Sequence, residues 1–342
     1  VAALVEPSQQ HCFYAVLFQS PVHIFTLIYT LGQIQINRVY QKVEQRRGLE
    51  PYSMHFPKSL IFKMDPRLTP ANEIAACSSL KGQIQHSNFV EGKNYQIGVP
   101  FVDLLNEPGG KRNRQLIYGS KVKCFHEDEN WAFIQNSYDS YVGYIPRNTL
   151  NLETEKTHVV SVPLAHVFSE PNIKSNNTEM LPLGAEVLGK HIENGFLETD
   201  LGWISNLHLK LKTELPKDPV GIAKLFLNTP YLWGGNTCLG IDCSGLIQIS
   251  MLLCGLNCPG DSDQQLNSIG QSIDIGSPQK KGDILFWKGH VAWVLNEAQV
   301  LHANAYHMTT VIEKTSQVIE RIKSQEGNNN VARKRLIGEL YE

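Results

Sequence analysis

Residues 230–248, PYLWGGNTCLGIDCSGLIQ, decide how this chain is read. The first half of the stretch forms turns: the Gly234–Gly235 pair and then Gly240 deliver the backbone into the apolar run SGLIQISMLL, which predicts a helix over about 244–253. Cys243 therefore stands at a helix N-terminus. Unpaired N–H groups and the positive end of the helix dipole favour a thiolate there, so the thiol is expected below its usual pKa of about 8.5. The same N–H groups can receive a developing oxyanion.

Downstream, KKGDILFWKGHVAWVL (280–295) puts His290 at the start of a strand, and VLHANAYHM (300–308) puts His302 on the next one, across a short turn at 296–299. A hairpin of this kind brings the two histidines together. Thiol chemistry needs a base to make the thiolate and to protonate the leaving amine, and the base needs a partner that fixes its tautomer. Cys243, His290 and His302 supply these roles in chain order.

Other chemistries fit less well. Cys238, Cys243, Cys254 and Cys258 are separated by four, ten and three residues, which matches no paired Cys-x-x-Cys zinc arrangement, so no metal or other cofactor is implied. Gly234–Gly235 is followed by no Gly-Lys-Ser/Thr, so it is not a phosphate loop. Cys124, Cys254 and His307 read as structural, and Trp233, Trp287 and Trp293 as core or cleft wall.

Working back toward the N-terminus, the tract at 212–217 reads as a linker. Asp218 and Pro219 form an N-cap and first-turn pair that opens a helix through about Leu227. Residues 95–150 and 158–211 each alternate short β-rich runs with turn residues, and they repeat one another loosely: LIYGSKVKCF matches LPLGAEVLGK, and YVGYIPRNTL matches LGWISNLHL. Both resemble bacterial SH3-like domains, as spacers or as wall-binding, cleft-shaping modules. The expected domains are a first barrel at 94–152, a second at 153–213 and a catalytic domain at 214–342. A short extension at 64–93 and an N-terminal segment at 1–63 precede them.

With 342 residues, 42% hydrophobic and 19% charged, the chain can bury more than one core. Its 31 basic and 33 acidic residues include no long single-sign run, which argues against nucleic acid as a partner. Seven cysteines in a long chain fit reduced thiols. The apolar stretch 12–31 is broken by Gln19, Ser20, Pro21 and His23, so no stable membrane span is expected. Residues 1–11 carry no Lys or Arg ahead of it, unlike a secretory signal. These features suggest a native start at Met64 and a cytoplasmic location, with a periplasmic or wall-associated one as the alternative.

The motifs YLWGG, GIDCSGLIQ, GDILFWKGHVAWV and LHANA together resemble the NlpC family of bacterial cell-wall cysteine peptidases, over about residues 218–342. The resemblance implies an α+β architecture: a papain-like domain preceded by two small all-β SH3-like barrels. It also implies cleavage of γ-D-glutamyl–diamino acid bonds in murein (peptidoglycan) peptides, such as free L-Ala-γ-D-Glu-diaminopimelate. By that resemblance Cys243 is the nucleophile, His290 the base and His302 the orienting residue, with the Tyr231 hydroxyl near the oxyanion. Asp242 and Ser244 flank the nucleophile and help hold the substrate amine, while Asp261 and Ser262 belong to a pocket motif. Two positions depart from the family: Gly260 stands where an Arg commonly precedes the Asp-Ser pair, and Ser120 where relatives that clamp a free amine carry Glu. Tyr141 matches their barrel Tyr. A scaffold with an idle papain-like domain, or an amidase or acyltransferase on the same fold, would be the alternative.

Overall fold

The computed structural model describes residues 64–327 and 331–336, so the readings made on residues 1–63, including the apolar stretch 12–31, fall outside it. No helix among the described residues is long and apolar enough to cross a membrane. Described residues Cys77, Cys124, Cys238, Cys243, Cys254 and Cys258 are all free thiols.

The extension carries two short parallel-paired strands, β1 (Ala76–Cys77) and β2 (Phe89–Val90). A seven-stranded sheet follows, made of β3 (Lys93–Ile97), β4 (Phe101–Leu105), β5 (Arg112–Ile117), β6 (Lys121–Glu127), β7 (Trp131–Asn136), β8 (Val142–Pro146) and β9 (Leu150–Leu152), in the order β5-β4-β8-β7-β6-β3-β9. The period-2 pattern of FVDLL in β4 turns Val102 and Leu104 inward, where they join Ile97, Leu116, Ile134 and Ile145 in one core.

The next stretch contains β10 (His158–Val160), β11 (Leu164–Phe168), β12 (Asn177–Pro182), β13 (Glu186–Val187), β14 (Gly189–Glu193), β15 (Phe196–Thr199), β16 (Trp203–Ser205) and β17 (Leu209–Leu211). Its pairings echo the first set. Thus β10 pairs β13 and β17 as β3 pairs β6 and β9, β11 pairs β12 and β16 as β4 pairs β5 and β8, and β15 pairs β14 and β16 as β7 pairs β6 and β8. A 3₁₀ turn precedes the last strand in both sets, at Arg147–Thr149 and Asn206–His208.

The catalytic region opens with α1 (Pro219–Lys224), which is shorter than the helix expected through Leu227. After Lys224 the backbone tightens into i→i−3 bonds from Leu225, Phe226 and Leu227, and Asn228 takes a left-handed conformation (φ 66°) that ends the turn. A small hairpin, β18 (Asn236–Thr237) and β19 (Gly240–Ile241), leads into α2 (Cys243–Leu252) and then α3 (Ser262–Ser268). The six-stranded antiparallel sheet runs β20-β25-β21-β22-β23-β24, with β20 (Gln271–Ile273), β21 (Asp283–Trp287), β22 (His290–Val294), β23 (Gln299–Asn304), β24 (Thr309–Lys314) and β25 (Ala332–Arg335). Helix α4 (Thr315–Glu326) follows β24 and stops at Gly327 (φ 68°).

Helix α2 is buried from Cys243 to Met251, which explains its apolar face all round: it lies against β22 and β23 on one side and the barrels on another. Ile117 from β5 and Leu183 from the second β region belong to the same core as Leu246, Ile249 and Trp293. Gly184 (φ +89°) is required at this contact, since a Cβ there would lie 2.8 Å from Ile249 Cδ1 and 3.0 Å from Ile117 Cδ1. Both β regions are thus packed against the helix that carries Cys243.

Candidate active site

Cys243 is the first residue of α2 and is buried. Asp242 caps the helix: its Oδ1 accepts from Gly245 N (2.6 Å) and from Ser244 Oγ (3.0 Å). Its Oδ2 accepts from Gly234 N (2.8 Å), which ties the Gly-Gly loop to the helix start. Gly234 is left-handed (φ +71°), and a Cβ on it would meet Asn113 O of β5 at 2.6 Å, so strand β5 lies directly on the Gly-Gly loop. Backbone N–H groups of Val291, Ser244 and Cys243 face the sulfur.

The histidines meet as the hairpin reading expects. His290 begins β22, His302 lies in β23, and His290 Nε2 is 2.8 Å from His302 Nδ1. Behind them stands a group that sequence reasoning missed. Glu313 of β24 places Oε2 3.0 Å from His302 Nε2 and is held by both terminal nitrogens of Arg321 of α4, at 2.6 and 2.7 Å. Asn304 Nδ2 also reaches His302 Nε2, at 3.2 Å. The available signal was the strand period: His302 registers opposite Val311, so Glu313 is its diagonal neighbour on the same sheet face.

The electrostatics correct the expectation of an acidic thiol. Burial pushes Cys243 up to about 12, and the Asp242 carboxylate adds to the rise, while the N–H groups of Val291 and Ser244 oppose it. The helix terminus is outweighed by desolvation and by its own capping carboxylate. Burial lowers His290 to about 3, helped by His302, and lowers His302 to about 4 despite the pull of Glu313. These directions favour the uncharged forms of both the thiol and the imidazoles.

Tyr231 is half-buried beside Cys243. Burial first, then the charges at Cys243 and Asp242, raise its phenol above the usual range, so it stays protonated as a donor. The remaining sequence-derived residues gather around Asp261. Asp261 caps α3, and Ser262 is the first residue of that helix. Tyr141 OH donates to Asp261 Oδ2 (3.1 Å).

Two arginines absent from the sequence reading complete this cluster. Arg67 of the extension reaches Asp261 (2.7 Å), Asp263 (2.7 Å) and Asp65 (2.7 Å). Arg114 of β5, 1% exposed, donates to Gly260 O (2.6 Å), Gln248 Oε1 (2.7 Å) and Asp261 Oδ1 (3.2 Å). Arg114 also explains Gly260, because a Cβ there would lie 3.0 Å from its Cδ and Nε. The guanidinium comes from the barrel rather than from position 260.

Ser120 lies in a turn after β5, its N–H bonded to Ile117 O, and its neighbour Gly119 abuts Glu186 of the second β region. Tyr118 and Lys156 both bind Asp200 near this turn. A groove of about 660 Å³, lined by Phe101, Asp103, Arg112, Leu232 and Leu239 among others, lies between β4, β5 and the β18–β19 hairpin; Cys243, His290 and His302 do not line it.

Residues 228–327 match the NlpC/P60 family, and residues 104–150 match the bacterial dipeptidyl-peptidase Sh3 domain. The chain is similar to dipeptidyl-peptidase 6 of Lysinibacillus sphaericus, with 30% identity over 221 residues, covering 56% of this chain and 79% of that protein. It is also similar to a gamma-D-glutamyl-L-lysine dipeptidyl-peptidase of Bacillus cereus, with 26% identity and coverage of 56% and 67%. Among solved structures, an NlpC/P60 family protein of Bacillus cereus superposes with a TM-score of 0.62 at 17% identity, over 72% of this chain and all of that one, which shows a shared fold.

Proposed function

Since the chain belongs to the NlpC/P60 family of cysteine peptidases, we propose that Cys243, His290 and His302 are its catalytic residues and that they hydrolyse γ-D-glutamyl–diamino acid bonds of murein peptides. The observation that carries this reading is the 2.8 Å contact between His290 and His302 on the sheet that packs against the helix opened by Cys243. His290 takes the thiol proton as sulfur attacks the γ-carbonyl carbon. The oxyanion meets the N–H groups of Cys243 and Ser244, with the Tyr231 hydroxyl as a further donor. As the C–N bond breaks, His290 returns the proton to the leaving amine. Water, deprotonated by the same imidazole, then hydrolyses the thioester and restores the thiol.

The preferred substrate is a peptide with a free α-ammonium, such as L-Ala-γ-D-Glu-diaminopimelate. Carboxylates of Asp65, Asp139, Asp242, Asp261 and Asp263 outnumber Arg67 and Arg114 around the Asp261 cluster, and the Asp263 and Asp65 ends of it are partly exposed. A cation entering there meets net negative charge. The same preference favours a cytoplasmic location, where free wall peptides return; fractionation with a periplasmic marker checks it, and recovery with that marker would refute it. Mass spectrometry of the tripeptide and its N-acetyl form after incubation tests the substrate. The expected products are L-Ala-D-Glu and diaminopimelate, with kcat/KM at least about tenfold lower for the acetylated peptide, the loss of one charged hydrogen bond. Equal rates for both peptides would remove the amine preference.

A further inference from the structure

Glu313 and Asn304 contend for one nitrogen of His302. Glu313 Oε2 is 3.0 Å from His302 Nε2 and needs a proton on it, whereas Asn304 Nδ2, 3.2 Å away, is a donor and needs a lone pair. The Asn304 amide cannot simply turn over, because its Oδ1 accepts from His307 N (2.8 Å) and faces His307 Nδ1 (3.1 Å). The charges around His302 are those of Glu313 on β24 and Arg321 on α4, with His307 Nδ1 3.6 Å from Glu313. Arg321, which stacks on Tyr306 at 4.4 Å, grips both oxygens of Glu313 and keeps it anionic. A charge-assisted bond outweighs a longer neutral one, so Glu313 takes the contact and His302 carries its proton on Nε2.

The consequence passes through the pair. With Nε2 protonated, His302 Nδ1 is a lone pair, and the 2.8 Å contact becomes a donation from His290 Nε2–H. His290 Nδ1 is then unprotonated. We propose that Glu313, braced by Arg321, is a positioning residue that overrides Asn304, fixes the His302 tautomer, and thereby leaves His290 Nδ1 as the base for Cys243. If Asn304 won instead, His302 Nδ1–H would donate to His290 Nε2, and the proton would sit on the nitrogen meant to accept one. The inference rests on the catalytic reading of Cys243 and His290.

In Glu313→Gln the charge that outweighs Asn304 is gone. We expect kcat to fall by at least on the order of 100-fold with KM within about twofold, the behaviour of an orienting acid whose amide variant presents the wrong tautomer. Loss of the anion also destabilises the imidazolium, so the acid limb of kcat moves to lower pH. The Glu313→Gln/Asn304→Asp variant puts a carboxylate back on His302 Nε2 and should recover at least about tenfold of the lost kcat. A tautomer readout that needs no turnover is long-range ¹H–¹⁵N NMR of histidine-labelled Cys243→Ala, with a proton expected on His302 Nε2. A proton on Nδ1 in that spectrum, a Glu313→Gln kcat within threefold of the parent, or a folded double variant with no recovery would each overturn the proposal. Activity surviving in Cys243→Ala would instead bring down the catalytic reading beneath it.

Discussion

Arg114 is the residue through which the first barrel and the nucleophile helix share one charge, and its removal should cost more than any surface ion pair. Its guanidinium is 1% exposed, bonded to Gly260 O, Gln248 Oε1 and Asp261 Oδ1, and close to the carboxylates of Asp139 and Asp242. Arg114→Ala deletes the cation and leaves those acceptors buried around a void. Breaking a buried pair by truncation costs about 3–5 kcal/mol, a large share of a total stability of about 5–15 kcal/mol. Arg114→Met refills most of the volume but leaves the carboxylates unneutralised, so it should recover only the packing part. Lys93→Ala, which removes a 74% exposed partner of Glu127, is the control and should cost at most about 1 kcal/mol. Urea unfolding followed by intrinsic tryptophan fluorescence measures all three. If Arg114→Ala lost less than about 1 kcal/mol, the guanidinium would not be the link between barrel and helix.

Stability should also depend on pH through the two histidines. Their native pKa values, about 3 for His290 and about 4 for His302, lie below the unfolded value of about 6.5. The unfolded chain therefore binds more protons in that interval, so stability is complete above about pH 6.5 and falls progressively toward pH 3. The shifted carboxylates, Glu313 and Asp65 among them, act only below about pH 4.5, so the histidine signature is the slope between 4.5 and 6.5. Melting temperatures across that range should flatten in a His290→Gln/His302→Gln variant; an unchanged slope would mean the imidazoles titrate normally. Asp242→Asn should lower the melting temperature and kcat together, because an amide cannot accept at once from Gly234 N and from Gly245 N and Ser244 Oγ. A variant with normal stability and kcat, altered only in its rate on acetylated peptides, would make Asp242 a substrate ligand rather than the brace of the loop.

The elements that carry chemistry were legible because their signals are local. Gly234, Gly235 and Gly240 announce the turns before Cys243, and the two β-runs around 296–299 announce the hairpin that joins His290 to His302. What escaped the sequence depends on contacts distant along the chain. Arg67 binds Asp261 across 194 positions and Arg114 binds Gly260 across 146, and no local pattern marks either one. The same distance explains Gly260, whose missing side chain makes room for a guanidinium from another domain. The thiol was misjudged because the helix terminus is visible in sequence, whereas the burial that opposes it is a property of the packed barrels and sheet.

The central claim is that Cys243 attacks the γ-glutamyl carbonyl and carries the acyl group as a thioester. Acid quenching during turnover of L-Ala-γ-D-Glu-diaminopimelate, followed by proteolysis and mass spectrometry, reads it directly. The account predicts an L-Ala-γ-D-glutamyl adduct on the peptide containing Cys243, and neither adduct nor cleavage in Cys243→Ala. An adduct on Cys238, Cys254 or Cys258, or cleavage that persists in Cys243→Ala, would contradict it.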